Sequence, residues 1–231
     1  MRKKQTGPEL KTLELDTLKY ITPDNVKDSV YYIGIFPERM SPADVTFARK
    51  SGLLETGPDT FRLSKVALYV TLGAISYREY AFLVLSKQWI KTTNVKDEPT
   101  IYNEPLLPFV LDEIQTRGRM NKTSFTEDLD KVLTAKYAPI PLSNSNSMRY
   151  IRGLLVASEL VIVDGNDYII NPLATALIRD LIANCDNIIP PTDETEYESY
   201  WNTMEHGVFD IITPANKALY SSFYPNLIKW P

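Results

Sequence analysis

The chain has 231 residues, 44% of them hydrophobic and 23% charged. That composition excludes a disordered polymer and gives one large domain or two modest ones a real core. Lys plus Arg (25) against Asp plus Glu (29) leaves a net charge of −4, which argues against a surface that is basic all round. One Cys and one His exclude an internal disulfide and supply too few ligands for a structural zinc site.

The start, MRKKQTGPEL, has a basic cluster with no apolar run behind it, unlike a secretory signal, and residues 1–19 are expected as an N-terminal arm. Residues 26–36 predict a helix. A Ser41–Pro42 start opens the next, which closes near Gly52. Short strands at 53–55 and 61–63 then flank TGPD (56–59), whose Gly and Asp supply hairpin-turn angles, and Ser64 is a helix N-cap. The longest apolar runs, around 66–75 and 80–85, are interrupted by Thr71, Ser76, Arg78 and Glu79. Neither reaches the roughly 20 residues a membrane span needs, so the expectation is a protein with no membrane partner, in the reducing cytoplasm.

Further on, helices are predicted at 106–115 and 124–135, separated by the basic turn RGRMNK with Arg117, Arg119 and Lys122. Residues 139–147, rich in Pro, Ser and Asn, read as a loop. A helix follows over 146–159, then strands at 160–163 and 168–170 around DGND, then an Asn171 cap with Pro172 at the first helical position. The apolar helix 173–184 ends at Cys185, expected as a small core residue. Residues 186–231 are acidic and aromatic. DIITPANKAL (210–219) there echoes the pattern of strand, cap, Pro and helix, and Trp201, Phe209, Tyr220, Phe223 and Tyr224 are expected to pack this segment on the body.

The chain repeats itself at an offset of 107 residues. SGLLETGPDTFRLSKVALYV (51–70) aligns without a gap on SELVIVDGNDYIINPLATAL (158–177), so Leu53 meets Leu160, Leu63 meets Ile170, and Ser64 meets Asn171. Helices followed by a two-stranded hairpin describe the winged-helix variant of helix-turn-helix. The expected fold is therefore mainly α with small antiparallel β hairpins, in tandem winged-helix units at 20–92 and 104–185 joined by a linker at 93–103.

On a wheel of 100° per residue, Met148, Ile151, Leu154 and Leu155 share one face of the 146–159 helix. Asn146, Arg149, Arg152 and Gly153 lie opposite, with Tyr150 at the edge. Arg forks guanine, Asn pairs with adenine, and glycine lets the helix approach a groove; Arg117, Arg119 and Lys122 are placed to touch phosphate. In the first unit Thr46, Arg49 and Lys50 share the corresponding arc. Solvation alone also puts polar residues on an exposed face, which is the competing reading. The acids at 164 and 167, and Asp59 in the first hairpin, argue against wings lying in a groove.

Motifs for catalysis are missing. The only Glu-x-Lys triplet is Glu9–Leu10–Lys11, no glycine loop fits GxxxxGK[ST], and DGND lacks the spacing of a calcium loop. A Ser–His–Asp or Cys–His mechanism would rest entirely on His206, which reads as a surface histidine. No enzyme activity and no cofactor are expected.

The stretch 48–89, ARKSGLLE…FRLSKVALYVTLGAISYREYAFLVLSKQW, resembles the N-terminal helical and winged-helix regions of prokaryotic type IIS and nicking restriction enzymes. There a G-L-[LI]…[YF]-x-L-[ST] element precedes a helix and a Leu-Lys-rich helix. Those enzymes carry a nuclease domain downstream, and this sequence shows none. The resemblance implies a DNA-recognition piece or separate subunit, its catalysis supplied elsewhere or absent.

The function these readings favour is non-catalytic binding of double-stranded DNA, as a regulator or as a recognition subunit of a prokaryotic restriction or defence system. The alternative is a protein-interaction scaffold using the winged helices and an acidic C-terminal surface. Charge distribution keeps both open. Residues 1–152 carry 22 basic and 18 acidic side chains, whereas residues 153–231 carry 3 and 11.

Overall fold

The computed structural model describes residues 11–15, 22–55, 62–93, 99–142, 147–201 and 206–227. Short polar caps set most helix starts. Thr22 accepts from Asn25 N ahead of α1 (Pro23–Ile35), and Ser41 accepts from Asp44 N ahead of α2 (Pro42–Lys50), each with Pro in the first turn. Ser64 does the same for α3 (Lys65–Thr71). A full capping box of Ser76 and Glu79 opens α4 (Tyr77–Ser86).

Helix α4 is the buried centre of the molecule, with every residue from Glu79 to Ser86 buried. Such all-round burial needs cover on each side, and α7 (Ser147–Ala157) and α5 (Leu106–Arg117) supply part of it. Phe82 stacks on Tyr224 at 4.3 Å and meets Phe209 edge-on at 6.0 Å, so the C-terminal segment supplies more. The Glu79 carboxylate also accepts from Asn226 N (2.7 Å) and Asn226 Nδ2 (3.1 Å). Burial pushes its pKa up, but these bonds and those from Ser76 outweigh burial and hold it below the ordinary carboxylate value.

Two three-stranded antiparallel sheets flank the helices. The first has the order β1 (Thr12–Glu14), β2 (Trp89–Thr93), β3 (Ile101–Pro105), with Leu13 opposite Thr92 and a bulge at Ile90 and Lys91. Residues expected as arm and linker thus each supply a strand to one sheet. The second sheet has the order β4 (Met120–Asn121), β6 (Asp167–Ile170), β5 (Val161–Asp164). Helix α6 (Phe125–Lys136) and α7 lie between β4 and β5 in the chain, and α8 (Thr175–Ala183) follows a 3-10 turn at Pro172–Ala174. The molecule is mainly helical with small antiparallel sheets, as expected.

The 107-residue repeat is reproduced in its turn and hairpin bonds, although Ser64 accepts from Ala67 N and Asn171 from Leu173 N. The bridge Leu54↔Leu63 falls on Val161↔Ile170. Ser64 N bonds Leu53 O (3.1 Å) and Asn171 N bonds Leu160 O (2.9 Å). The Ser64 hydroxyl donates to Gly52 O, and Asn171 Nδ2 donates to Glu159 O. Gly52 and Glu159 both have positive φ, 71° and 59°. Even the covering tyrosines agree, Tyr80 donating to Ser51 O (2.8 Å) and Tyr224 to Ser158 O (2.7 Å). The turn at 56–59 and Phe61 lie outside the described residues.

The C-terminal segment packs back as expected, with Trp201, Phe209, Tyr220 and Tyr224 all buried and Phe223 packed against them. Its short helices are α9 (Glu194–Ser199) and α10 (Lys217–Phe223). Two details differ. Residues 207–211 form a 3-10 turn where the faint third echo suggested a strand, because no strand of the described residues pairs with them. Cys185 is half-buried in a 3-10 turn rather than in the core, since α8 has already ended at Ala183. Among the described residues no helix is long and apolar enough to cross a membrane.

Candidate nucleic-acid interface

Helix α7 buries Met148, Ile151, Leu154 and Leu155, the four residues assigned to its apolar face. Its outer face carries Arg149 and Gly153, both exposed, with Tyr150 and Arg152 half-buried beside them. No atom lies within 4 Å of the position a Cβ would take on Gly153, so this face is open to a close approach. Asn146 lies outside the described residues.

The basic turn 117–122 is held against the hairpin that follows α7. Lys122 N bonds Asn166 O (2.9 Å), and Lys122 Nζ donates to Gly165 O (2.7 Å) at the hairpin tip. Gly165 supplies the positive φ of 57° that the two-residue turn requires. Arg152 Nη1 donates to Lys122 O (3.3 Å), tying α7 to the same turn. Arg119 pairs with Asp167 at 3.4 Å, and Asn121 Nδ2 donates to the other oxygen of that carboxylate at 3.3 Å. The structure therefore gathers Arg119, Lys122 and Arg152 at one place beside Arg149 and partly offsets one of the two wing acids. Arg117 turns away into an i,i+4 pair with Glu113 (3.3 Å). These pairs are exposed and worth at most about 1 kcal/mol each, so their cations can exchange a carboxylate for a phosphate.

The α2 residues are less available. Thr46 is exposed but its hydroxyl donates back to Pro42 O (2.9 Å). Arg49 and Lys50 are half-buried and engaged within the chain. They lie on a separate repeat from the α7 cluster.

Two features escaped the sequence reading. Asn121 helps hold the wing acid, and nothing in RGRMNK signals that. Lys87 is fully buried after α4, donating to Tyr200 O and to His206 O (3.1 Å), with the rings of Tyr200 and Phe209 at 5.7 Å. Burial pushes its pKa down to about 7, against the pull of Asp210. A lysine near neutrality can act as a nucleophile, but this one is sealed from solvent and fastens the C-terminal segment. His206, read as a surface residue, is half-buried and stacks on Tyr200 at 4.7 Å. No known protein family, curated protein or solved structure matches this chain.

Proposed function

We propose that the chain is a non-catalytic double-stranded DNA-binding protein that reads the duplex with α7. The observation that carries this is the order α5, β4, α6, α7, β5, β6 with sheet order β4-β6-β5, an order that supports a winged-helix reading, and with Arg149 and Gly153 exposed on the helix that precedes the wing. In this reading α7 enters the major groove. Arg149 meets base edges, while Arg119, Lys122 and Arg152 meet phosphate. The second repeat does the reading, and the first, with Thr46, Arg49 and Lys50 partly engaged, supports it. A role as regulator or as recognition subunit of a prokaryotic restriction system rests on the resemblance of residues 48–89.

A different class of partner has one observation in its favour. Tyr31 and Ile35 on α1, Leu68 on α3 and Leu72 at its C-terminal cap are large apolar side chains left exposed on two helices that pack together. This apolar surface, more than the acidic C-terminal segment whose aromatic residues are buried, supports a protein-interaction scaffold.

Fluorescence anisotropy with a random-sequence duplex at low and moderate salt separates the two. DNA binding predicts an affinity that falls with salt. Arg149→Ala/Arg152→Ala should weaken it and lower the logarithmic salt slope by about 0.9 for each phosphate that is no longer neutralised. Absence of binding at low salt sinks the DNA reading and leaves the scaffold.

A further inference from the structure

We propose that a cavity of about 400 Å³ on the far side of α5 is a binding site for a small organic cation, an amine carried on an apolar body. It shares no residue with the α7 face and does not depend on the nucleic-acid reading. Strand β2 supplies Trp89, α5 supplies Phe109, and α8 with the segment after it supplies Ile182 and Ile188. The volume suits a small molecule, and the lining is mixed, these apolar side chains standing beside Asn103, Glu104, Asp112, Lys136 and Asp186. Trp89, only 1% exposed, contributes the innermost part of the lining.

Charge decides the class of ligand. Glu104 and Lys136 line the cavity and neutralise each other at 2.7 Å, with the Tyr137 hydroxyl donating to the same carboxylate. Lys136 also lies 5.3 Å from the centre of the Phe109 ring, so the one lysine in the lining is committed. Asp112 and Asp186 remain. Both line the cavity, both are exposed at its mouth, and neither has a cationic partner among the described residues. The field is felt by Cys185, whose thiol is pushed up by burial and then by Asp186 and Glu104. A pocket with Phe109, Ile182 and Ile188 on its wall and two uncompensated carboxylates beside them favours a ligand with an apolar body and an ammonium group.

Titration calorimetry at low ionic strength tests this with 2-phenylethylamine and its neutral counterpart 2-phenylethanol. The amine is expected to bind about tenfold more tightly than the alcohol. Asp112→Asn/Asp186→Asn should erase that preference while leaving the unfolding midpoint unchanged, since both residues are exposed. Ile182→Trp, which fills the cavity, should weaken both ligands. Binding of neither compound overturns the proposal, as does equal binding of both, or a preference for the amine that survives removal of the two carboxylates.

Discussion

The two repeats share a hydrogen-bond skeleton but not the same surroundings. In the second, β4 pairs with β6 and completes a sheet, the hairpin tip is clamped by Lys122, and the position with positive φ is an exposed Glu159 paired with Arg78 at 3.1 Å. In the first, the described hairpin is a single bridge, and its positive-φ position is Gly52, covered by the ring of Trp201. Local sequence built the same turn twice. What packs on each turn then decided the residue it tolerates and whether the helix before it stays free. The C-terminal segment covers both turns, with Tyr224 on Ser158 and Trp201 on Gly52, but only in the first does a ring fill the space where a side chain at the positive-φ position would stand.

The sharpest way to break this comparison is Gly52→Ala. A Cβ at Gly52 would stand 2.3 Å from Trp201 Cε3, and the residue has φ 71°. Left-handed backbone costs a non-glycine residue about 1–2 kcal/mol. Overpacking against a buried ring adds about 1–3 kcal/mol. A destabilisation of about 3 kcal/mol in urea unfolding is expected; one below about 1 kcal/mol would mean that Trp201 does not seat there.

Next in size is the fastening that brings Trp201 into place. Lys87 holds the carbonyl of the preceding Tyr200, and its folded pKa of about 7 lies below its ordinary 10.5. Between those values the unfolded chain binds the proton more tightly. The Lys87 contribution is therefore lowest below pH 7 and rises with pH through that window, by about 1.4 kcal/mol per unit. Urea unfolding at pH 7, 8 and 9 should show this slope in the wild type and lose it in Lys87→Met. Equal slopes in the two proteins would mean that the Lys87 ammonium is not held away from water.

Where the fold was legible in sequence, the cause was local. Ser41, Ser64 and Asn171 announce helix starts because a cap needs only its own next turn, and DGND announces a hairpin for the same reason. The α7 faces were legible because amphipathic spacing encodes burial directly. The β1–β2 pairing was not, since Thr12 and Thr93 stand 81 residues apart with no turn between them to announce the contact. Residues 101–103, the first part of β3, consequently read as linker and not as strand. The environment of the basic cluster was half legible: RGRMNK showed its charge, but its docking on Gly165 and Asp167 depends on β4 finding β6. Buried Lys87, inside AFLVLSKQW, carries no local mark that its ammonium would find two carbonyls from residues 200 and 206.

The smallest effect expected is at the other member of the pair. Glu159→Gly relieves the cost of φ 59° on a side-chain-bearing residue, a gain of about 1 kcal/mol. It also adds chain entropy to the unfolded state, which costs about 0.5–1 kcal/mol. The exposed pair with Arg78 disappears too, worth about 0.5 kcal/mol, although Arg78 keeps the Phe223 ring at 4.0 Å. These effects nearly cancel, so the unfolding midpoint should move little, in contrast to the large destabilisation for Gly52→Ala at the equivalent turn. A change beyond about 1.5 kcal/mol would show that Glu159, like Gly52, is fixed by what lies over it. The two repeats would then differ in degree, not in whether a side chain is allowed at that turn.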